Sequence, residues 1–312
     1  MAELSMREAY GRALAGYGAL NPKVVALDVD TSASTLSSFF SGRFPERFFN
    51  IGIAEPCMVD VAAGLALGGF LPFINGFASI LSLRALEQIR TCVCYARTNV
   101  KIAASYAGLS DFKDGATHYS ITDLANMRAL PGMTVIVPAD AAEAAAWVPL
   151  VAEFDGPVYL RISRAGALPV YQPGTPLQIG KGRTLRPGRD LTLVATGAMV
   201  GRCAAAAEQL SAQGIDARLL EIHTLKPLDR DLLLQAAEET GALVTAEEHN
   251  IIGGLGSAVA ETLVESRPAP LERIGIHDRF CPTGRDLDKL MDACGLSVAA
   301  VVAAAQRVVE RK

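Results

Sequence analysis

The sequence has no run of lysine or arginine, and its 29 basic and 33 acidic side chains leave a formal net charge of −4. That balance gives no electrostatic footprint for nucleic acid and none for an anionic membrane surface. The opening residues, MAELSMREAY, lack the basic start and apolar run of a secretory leader, so a cytoplasmic protein is expected. Long hydrophobic runs are missing too. The greasiest stretch, Cys57 to Ile74, carries Asp60, several glycines and Pro72, and falls short of the ~20 apolar residues a spanning helix needs. Six cysteines in 312 residues make no disulfide scaffold. Cys92 and Cys94 stand too close for the usual Cys-x₂-Cys knuckle, and only four histidines exist to complete one, so no metal site is expected on this chain. The thiols are expected to be small, buried and reduced.

What is present is apolar. Half the residues are hydrophobic and the mean hydropathy is +0.27, which suits a large buried core and excludes disorder. At roughly 100–200 residues per domain, the length predicts two domains or one large one. The apolar excess is read as subunit interface.

Helix and strand patterns alternate along the chain. Ser5-Met6-Arg7-Glu8 reads as a capping box opening a helix to about Leu20. Strands are expected at 24–29, 71–75, 100–105, 134–137 and 158–163, with helices at 55–69, 77–96, 121–129 and, capped by Asp140, 140–153. Between Gly166 and Arg189 proline and glycine density marks a linker. A second set follows, with strands at 191–195, 216–221, 242–247 and 271–276 and helices at 200–213, 229–240 and 256–266. The fold class is therefore α/β, with two domains, each a mostly parallel sheet flanked by helices. The boundaries are 1–170, a linker at 171–189, and 190–312.

Three groups of residues could carry chemistry. In Phe49-Asn50-Ile51-Gly52-Ile53-Ala54-Glu55-Pro56, a carboxylate opens a helix that is otherwise nearly all small and apolar. Burying it unpaired is costly, so Glu55 needs a partner or a proton, unless it is simply a first-turn glutamate favoured by the helix dipole. In Asp111-Phe112-Lys113-Asp114-Gly115-Ala116-Thr117-His118, Asp114, Thr117 and His118 form a donor and acceptor cluster on the loop edge where open parallel sheets place their sites. A loop histidine also serves as a cap or a surface residue. Arg7, Arg161 and Arg164 lie near domain edges, and arginines near strand ends could clamp a phosphate, or form surface salt bridges. Gly254-x-Gly256 imitates half a dinucleotide fingerprint, but Val259 stands where the third glycine belongs and a loop separates strand from glycines.

These motifs, in this order, resemble the C-terminal half of transketolase. FFNIGIAEP, MVDVAAGLALGG, PFINGFAS, RALEQIR, DGATH, MTVIVPAD and GPVYLRISR resemble that family's pyrimidine-binding domain. ATGAMV, IDARLLEIHTLKPLD, VTAEEHNIIGGLGSAVAE and RIGIHDRF resemble its C-terminal domain, and the likeness covers about residues 5–310. The family's diphosphate and metal loop, Gly-Asp-Gly with a downstream asparagine, does not occur. The resemblance therefore implies a partner chain, an N-terminal subunit that binds the diphosphate and Mg²⁺, in an α₂β₂ heterotetramer. The cofactor it implies is thiamine diphosphate.

Carried onto this sequence, Glu55 would face N1′ of the aminopyrimidine and drive deprotonation at the thiazolium C2, with an apolar surround raising its pKa. Phe77, Ile80 and Leu83 would line the pyrimidine pocket, and Asp30 would lie near the thiazolium. Asp114 and His118 would hold donor hydroxyls and the carbonyl side, with His118 catalytic beside Glu55. Arg7, Ser34 and Arg164 would hold the substrate's phosphate, and Tyr106 would touch substrate. Three departures stand out. Ile80 and Leu83 replace the family's usual aromatics, Tyr106 replaces a histidine, and Pro56 follows the glutamate, where a helix's first turn tolerates it.

The implied reaction is transfer of a two-carbon ketol unit from a ketose phosphate to an aldose, within pentose phosphate metabolism or on a specialised ketose. Three rivals share parts of the pattern: the beta subunit of a 2-oxoacid dehydrogenase first component, deoxyxylulose-phosphate synthase, and a non-catalytic stabilising subunit. Arg7, Arg164 and the DGATH loop suit a phosphosugar better than a short oxoacid. The synthase is typically one continuous chain. Glu55, Asp114 and His118 together speak for catalysis.

Overall fold

The computed structural model describes residues 4–312. The Ser5 hydroxyl accepts the Glu8 N–H at 3.4 Å and starts α1 (Met6–Leu20), as the capping box predicts. After β1 (Val24–Asp28) the chain makes α2 (Ser32–Thr35), α3 (Ser38–Arg43), a 3₁₀ turn at Pro45–Arg47 and β2 (Phe48–Asn50). Next come α4 (Glu55–Leu67), β3 (Leu71–Phe77), α5 (Ala78–Arg84) and α6 (Leu86–Gln88), then a π-helical stretch at Ile89–Tyr95. β4 (Lys101–Ser105), α7 (Asp123–Ala129), β5 (Thr134–Ile136), α8 (Ala141–Glu153) and β6 (Val158–Arg161) complete the first unit.

The second unit runs β7 (Arg183–Arg186), β8 (Leu191–Ala195), α9 (Met199–Ala212), β9 (Ala217–Glu221), β10 (Thr224–Lys226) and α10 (Arg230–Thr240). It ends with β11 (Leu243–Asn250), α11 (Leu255–Ser266), β12 (Leu271–Ile276), α12 (Leu287–Ala293) and α13 (Val298–Val309).

The strands form a seven-stranded sheet, β10-β5-β6-β4-β3-β1-β2, and a five-stranded sheet, β12-β11-β8-β9-β7. Both are parallel except for one antiparallel edge each, β10 on β5 and β7 on β9. β1, β4 and β8 are buried along their whole length, as strands covered on both faces must be. β10 comes from the second half of the chain yet pairs in the first sheet, so the two halves share backbone hydrogen bonds as well as side-chain contacts.

Four departures from the sequence reading have physical causes. The long helix expected over 77–96 is broken at Ala85, whose φ of −103° and ψ of 12° leave the helical region. The break separates the face carrying Phe77, Ile80 and Leu83 from the stretch that sends Ile89 and Val93 into the core. Within 171–189, β7 joins the second sheet; like β2 and β10, it is too short to give a periodic signal. Cys281 and Cys294 are paired in a disulfide and Cys57 is exposed, so the six thiols are not uniformly free and buried. The stretch Leu287–Val309 is long and apolar enough to cross a membrane, but it divides into α12 and α13, and α13 packs Val301, Ala305 and Val308 into the second core.

Candidate active site

Two small features of α1 position the substrate side. Gly11 faces the carbonyl of Leu36 so closely that a Cβ would collide with it, which brings α1 against the 31–37 turn. That turn is tied to the end of β1 by the buried Asp28 carboxylate. It accepts from Thr31 N at 2.6 Å, Thr35 Oγ1 at 2.9 Å and Ser37 Oγ at 2.9 Å. Arg7 then reaches across, its Nη1 donating to the Ser34 carbonyl at 2.6 Å and to the Tyr106 hydroxyl at 2.9 Å. Ser34 therefore contributes its main chain to this contact.

Tyr106 follows β4 with a φ of +62°, a conformation uncommon for a side-chain-bearing residue and enriched at functional sites. Its ring stacks on Phe77 at 4.3 Å between centroids, and His118 meets Phe77 edge-on at 6.4 Å. The guanidinium groups of Arg7 and Arg164 lie 5.6 and 5.0 Å from the Tyr106 ring centre. Arg164 also donates to Asp111 Oδ1 at 2.8 Å. The His118 ring hydrogen-bonds Thr117 Oγ1 at 2.8 Å, and its carbonyl accepts from Ser79 Oγ at 2.6 Å. Six expected residues are thus linked contact by contact: Ser34 to Arg7, Arg7 and Arg164 to Tyr106, and Tyr106 and His118 to Phe77. Asp114 joins through Asp111, whose carboxyl lies within hydrogen-bonding reach of it. Burial, then Asp114, push the Asp111 carboxyl up to about 6 against the pull of Arg164.

Glu55 begins α4, which packs on α5, and is 2% exposed. It is not left to an apolar surround. Arg84 at the end of α5 donates Nη1 to both its oxygens, at 2.9 and 2.8 Å. This corrects the expectation of a mostly apolar surround, because a guanidinium group sits against the carboxylate. Arg84 itself is 51% exposed and reaches the carboxylate from the solvent side. Beside it Ile80 is half-buried and Leu83 exposed, continuing the α5 face that Phe77 begins. Asp30 sits exposed at the end of β1 with a φ of +67°, its Oδ1 accepting from Asn50 Nδ2 at 3.0 Å. The residues fit a flat heteroaromatic ring with one basic nitrogen. A buried carboxylate supplies the polar contact, and an aliphatic and aromatic shelf supplies the face.

The 105–121 loop is held from behind by the second domain. Leu109 N donates to Glu248 Oε1 at 2.7 Å, Tyr119 Oη to the Cys281 carbonyl at 2.5 Å, and Gly284 N to the Phe112 carbonyl at 2.8 Å. Gly108 lies where any Cβ would strike the Glu248 carboxylate. Burial pushes Glu248 up to about 7, opposed by Arg161. Arg161 is buried, paired with Asp123 at 2.7 Å and donating to the carbonyls of Ser120 and Glu248 at 3.1 Å. It is therefore a strut of this clamp rather than a phosphate ligand. At Gly254-x-Gly256 the N–H groups of Leu255 and Gly256 are filled by the Glu247 carboxylate at 2.7 and 2.8 Å, which closes that helix end to a diphosphate.

Residues 2–167 match the family model of the transketolase pyrimidine-binding domain, and residues 180–301 match the transketolase C-terminal domain. The chain belongs to the transketolase family. It is 42% identical over 307 residues to the 6-deoxy-6-sulfo-D-fructose transketolase subunit SqwH of a Clostridium species, covering 98% of this chain and 95% of that one. It is 39% identical over 256 residues to an apulose-4-phosphate transketolase subunit of Phocaeicola vulgatus, covering 82% of each. A solved structure, a split gene transketolase described as an inactive beta4 tetramer, superposes with a TM-score of 0.90 at 47% identity over 99% of both chains. The 1-deoxy-D-xylulose-5-phosphate synthase 1 of Geobacter sulfurreducens is 37% identical, but the match spans 46% of its length. The split transketolase subunits are thus the better fit, and the family implies dependence on thiamine diphosphate.

Within the family frame, Arg84 and Asp111 are the site residues that sequence reasoning missed. Both stand inside motifs already quoted, RALEQIR and DFKDGATH. Nothing in those motifs says that Arg84 reaches back 29 residues to Glu55, or Arg164 back 53 to Asp111.

Proposed function

We propose that this chain is the C-terminal subunit of a split transketolase, working in a heterotetramer with an N-terminal subunit that holds the cofactor's diphosphate and Mg²⁺. The reaction is transfer of a two-carbon ketol unit to an aldose from a ketose with an anionic terminal group, a phosphate or a sulfonate. The observation that carries this reading is the continuous run from buried Glu55 and the α5 shelf, through the Phe77–Tyr106 stack, to the two arginines over the Tyr106 ring. A partner is supported by the apolar side chains left open next to Glu55 and its hydrogen-bond partner Arg84, Ile53 and Leu83.

Thiamine diphosphate supplies a carbon nucleophile for the ketose carbonyl when it is bound. Glu55 would exchange a proton with a nitrogen of the cofactor's ring. For that, Arg84 gives up one carboxylate oxygen, and its half-exposed position lets it turn to solvent. Phe77, Ile80 and Leu83 would hold the ring and keep water from it. His118, at the edge of Phe77, presents its ring on the side where the sugar's carbonyl end would lie, and Asp114 offers an acceptor to the sugar hydroxyls. Asp30, tied to Asn50, gives an acidic rim for the thiazolium side. Arg7, Arg164 and the Tyr106 hydroxyl take the anionic end.

The test uses this chain purified with its N-terminal partner, thiamine diphosphate and Mg²⁺. Two-carbon transfer from a ketose phosphate or sulfonate to an aldose, lost in Glu55→Ala, is the expected result. Cofactor binding with decarboxylation of pyruvate and no ketol transfer would move the chain to the oxoacid dehydrogenase or synthase reading.

A further inference from the structure

The anion pocket is less positive than its two arginines suggest. Arg164 spends Nη1 on the fully buried Asp111 and keeps a quarter of its side chain exposed. The other oxygen of Asp111, Oδ2, is buried and has no hydrogen-bond partner among the described residues. The carboxyl of Asp114 lies next to it on the same loop. Arg7 divides its Nη1 between the Ser34 carbonyl and the Tyr106 hydroxyl. Lys113 points into solvent, its Nζ 5.8 Å from the Phe112 ring centre. Two guanidinium charges are thus set against two carboxyl groups.

A phosphate monoester carries roughly 1.5 to 2 negative charges near neutral pH, whereas a sulfonate carries one. The desolvation cost of bringing an anion into the pocket grows with its charge and must be met by unspent positive charge. We propose that Asp111 is a positioning residue for specificity: by holding Arg164 it withdraws one positive charge from the pocket, so that the site takes a ketose with a singly charged sulfonate end in preference to one with a phosphate end. This rests on the transketolase reading for which ketose enters, but the charge count belongs to the pocket alone.

The test compares two ketohexoses that differ only at carbon 6, one a sulfonate and one a phosphate. Equilibrium binding to the assembled complex is measured at pH 8, where the phosphate is doubly ionised. The wild type should bind the sulfonate about tenfold tighter, the size of one incompletely screened charge interaction. Asp111→Asn keeps the shape and the hydrogen bond to Arg164, and should close that gap by tightening the phosphate. Equal affinities in the wild type would overturn the proposal even if the variant failed to fold. A gap unchanged in Asp111→Asn, or equal weakening of both ligands, would reduce Asp111 to a structural role. Preferential sulfonate binding without two-carbon transfer would sink the transketolase reading while leaving the charge argument standing.

Discussion

Next to Glu55 and its hydrogen-bond partner Arg84 the chain leaves apolar side chains in the open, with Leu83 60% exposed and Ile53 77%. Along the 105–121 loop it does the opposite. Residues 101–111 are buried without a break, and the loop is tied to the second domain through Glu248, Cys281 and Gly284. On the proposed reading the sugar end is built within one chain, because Arg7, Arg164 and Tyr106 are already held in place by that chain's own contacts. On the same reading the cofactor end is half of a site, a shelf and a carboxylate to which the partner would add the second wall. A surface of this kind is costly to leave in water, which is the physical sense of the apolar composition. On the proposed reading, the difference teaches that preorganisation of the sugar site would not require the partner, whereas holding the cofactor would.

The largest expected effect lies at the unfinished end. Glu55→Gln in the assembled enzyme should slow exchange of the cofactor's C2 proton by about 10²–10⁴-fold. Arg84, half in solvent, rehydrates, so the melting temperature should hardly move. Exchange at the wild-type rate, followed by proton NMR, would remove Glu55 from proton transfer. The finished end should respond in stability instead. Arg161→Met leaves Asp123 charged and buried without its partner, and should cost about 3–5 kcal/mol in denaturant unfolding. A loss below 1 kcal/mol would mean that the clamp is soft.

The clamp should also carry a pH signature. Glu248 has a folded pKa of about 7, above the ordinary carboxyl value, so the folded protein retains this proton more tightly than the unfolded chain. Its contribution to stability is fully present below about 4.5 and is lost as pH rises through about 7. Glu248→Gln should remove up to ~3 kcal/mol of that pH dependence, read as the difference between the two stability profiles. Parallel profiles would contradict it. The smallest effect returns to the open shelf. Ile80→Phe restores an aromatic face and should tighten cofactor binding by ~0.5–1.5 kcal/mol in the complex. No change would mean that the ring does not lie over that position.

The sequence was legible where periodicity or capping carries the signal. Ser5, Asp140 and the alternating strands could be read directly, because each is a local pattern with a local cause. Short edge strands such as β7 and β10 were not, since three or four residues give no period and their partners lie far away in the chain. Ala85 breaks a helix with no proline or glycine at the break to announce it. Among the site residues, Glu55 and His118 stood out by their surroundings in the chain, Phe77 and Tyr106 came from the family resemblance, and the geometry that joins them came from neither. Arg161 illustrates the cost of reading charge without depth: it resembles a surface clamp until its burial against Asp123 is known. Arg84 and Asp111 escaped notice because each acts on a partner that only the folded chain brings near.

The most direct measurement of the half-site account is calorimetric titration of thiamine diphosphate with Mg²⁺ into this chain alone, then into its complex with the N-terminal subunit. The account predicts weak binding to the isolated chain and much tighter binding once the second wall is supplied. Tight, Mg²⁺-dependent binding to the chain by itself would contradict it.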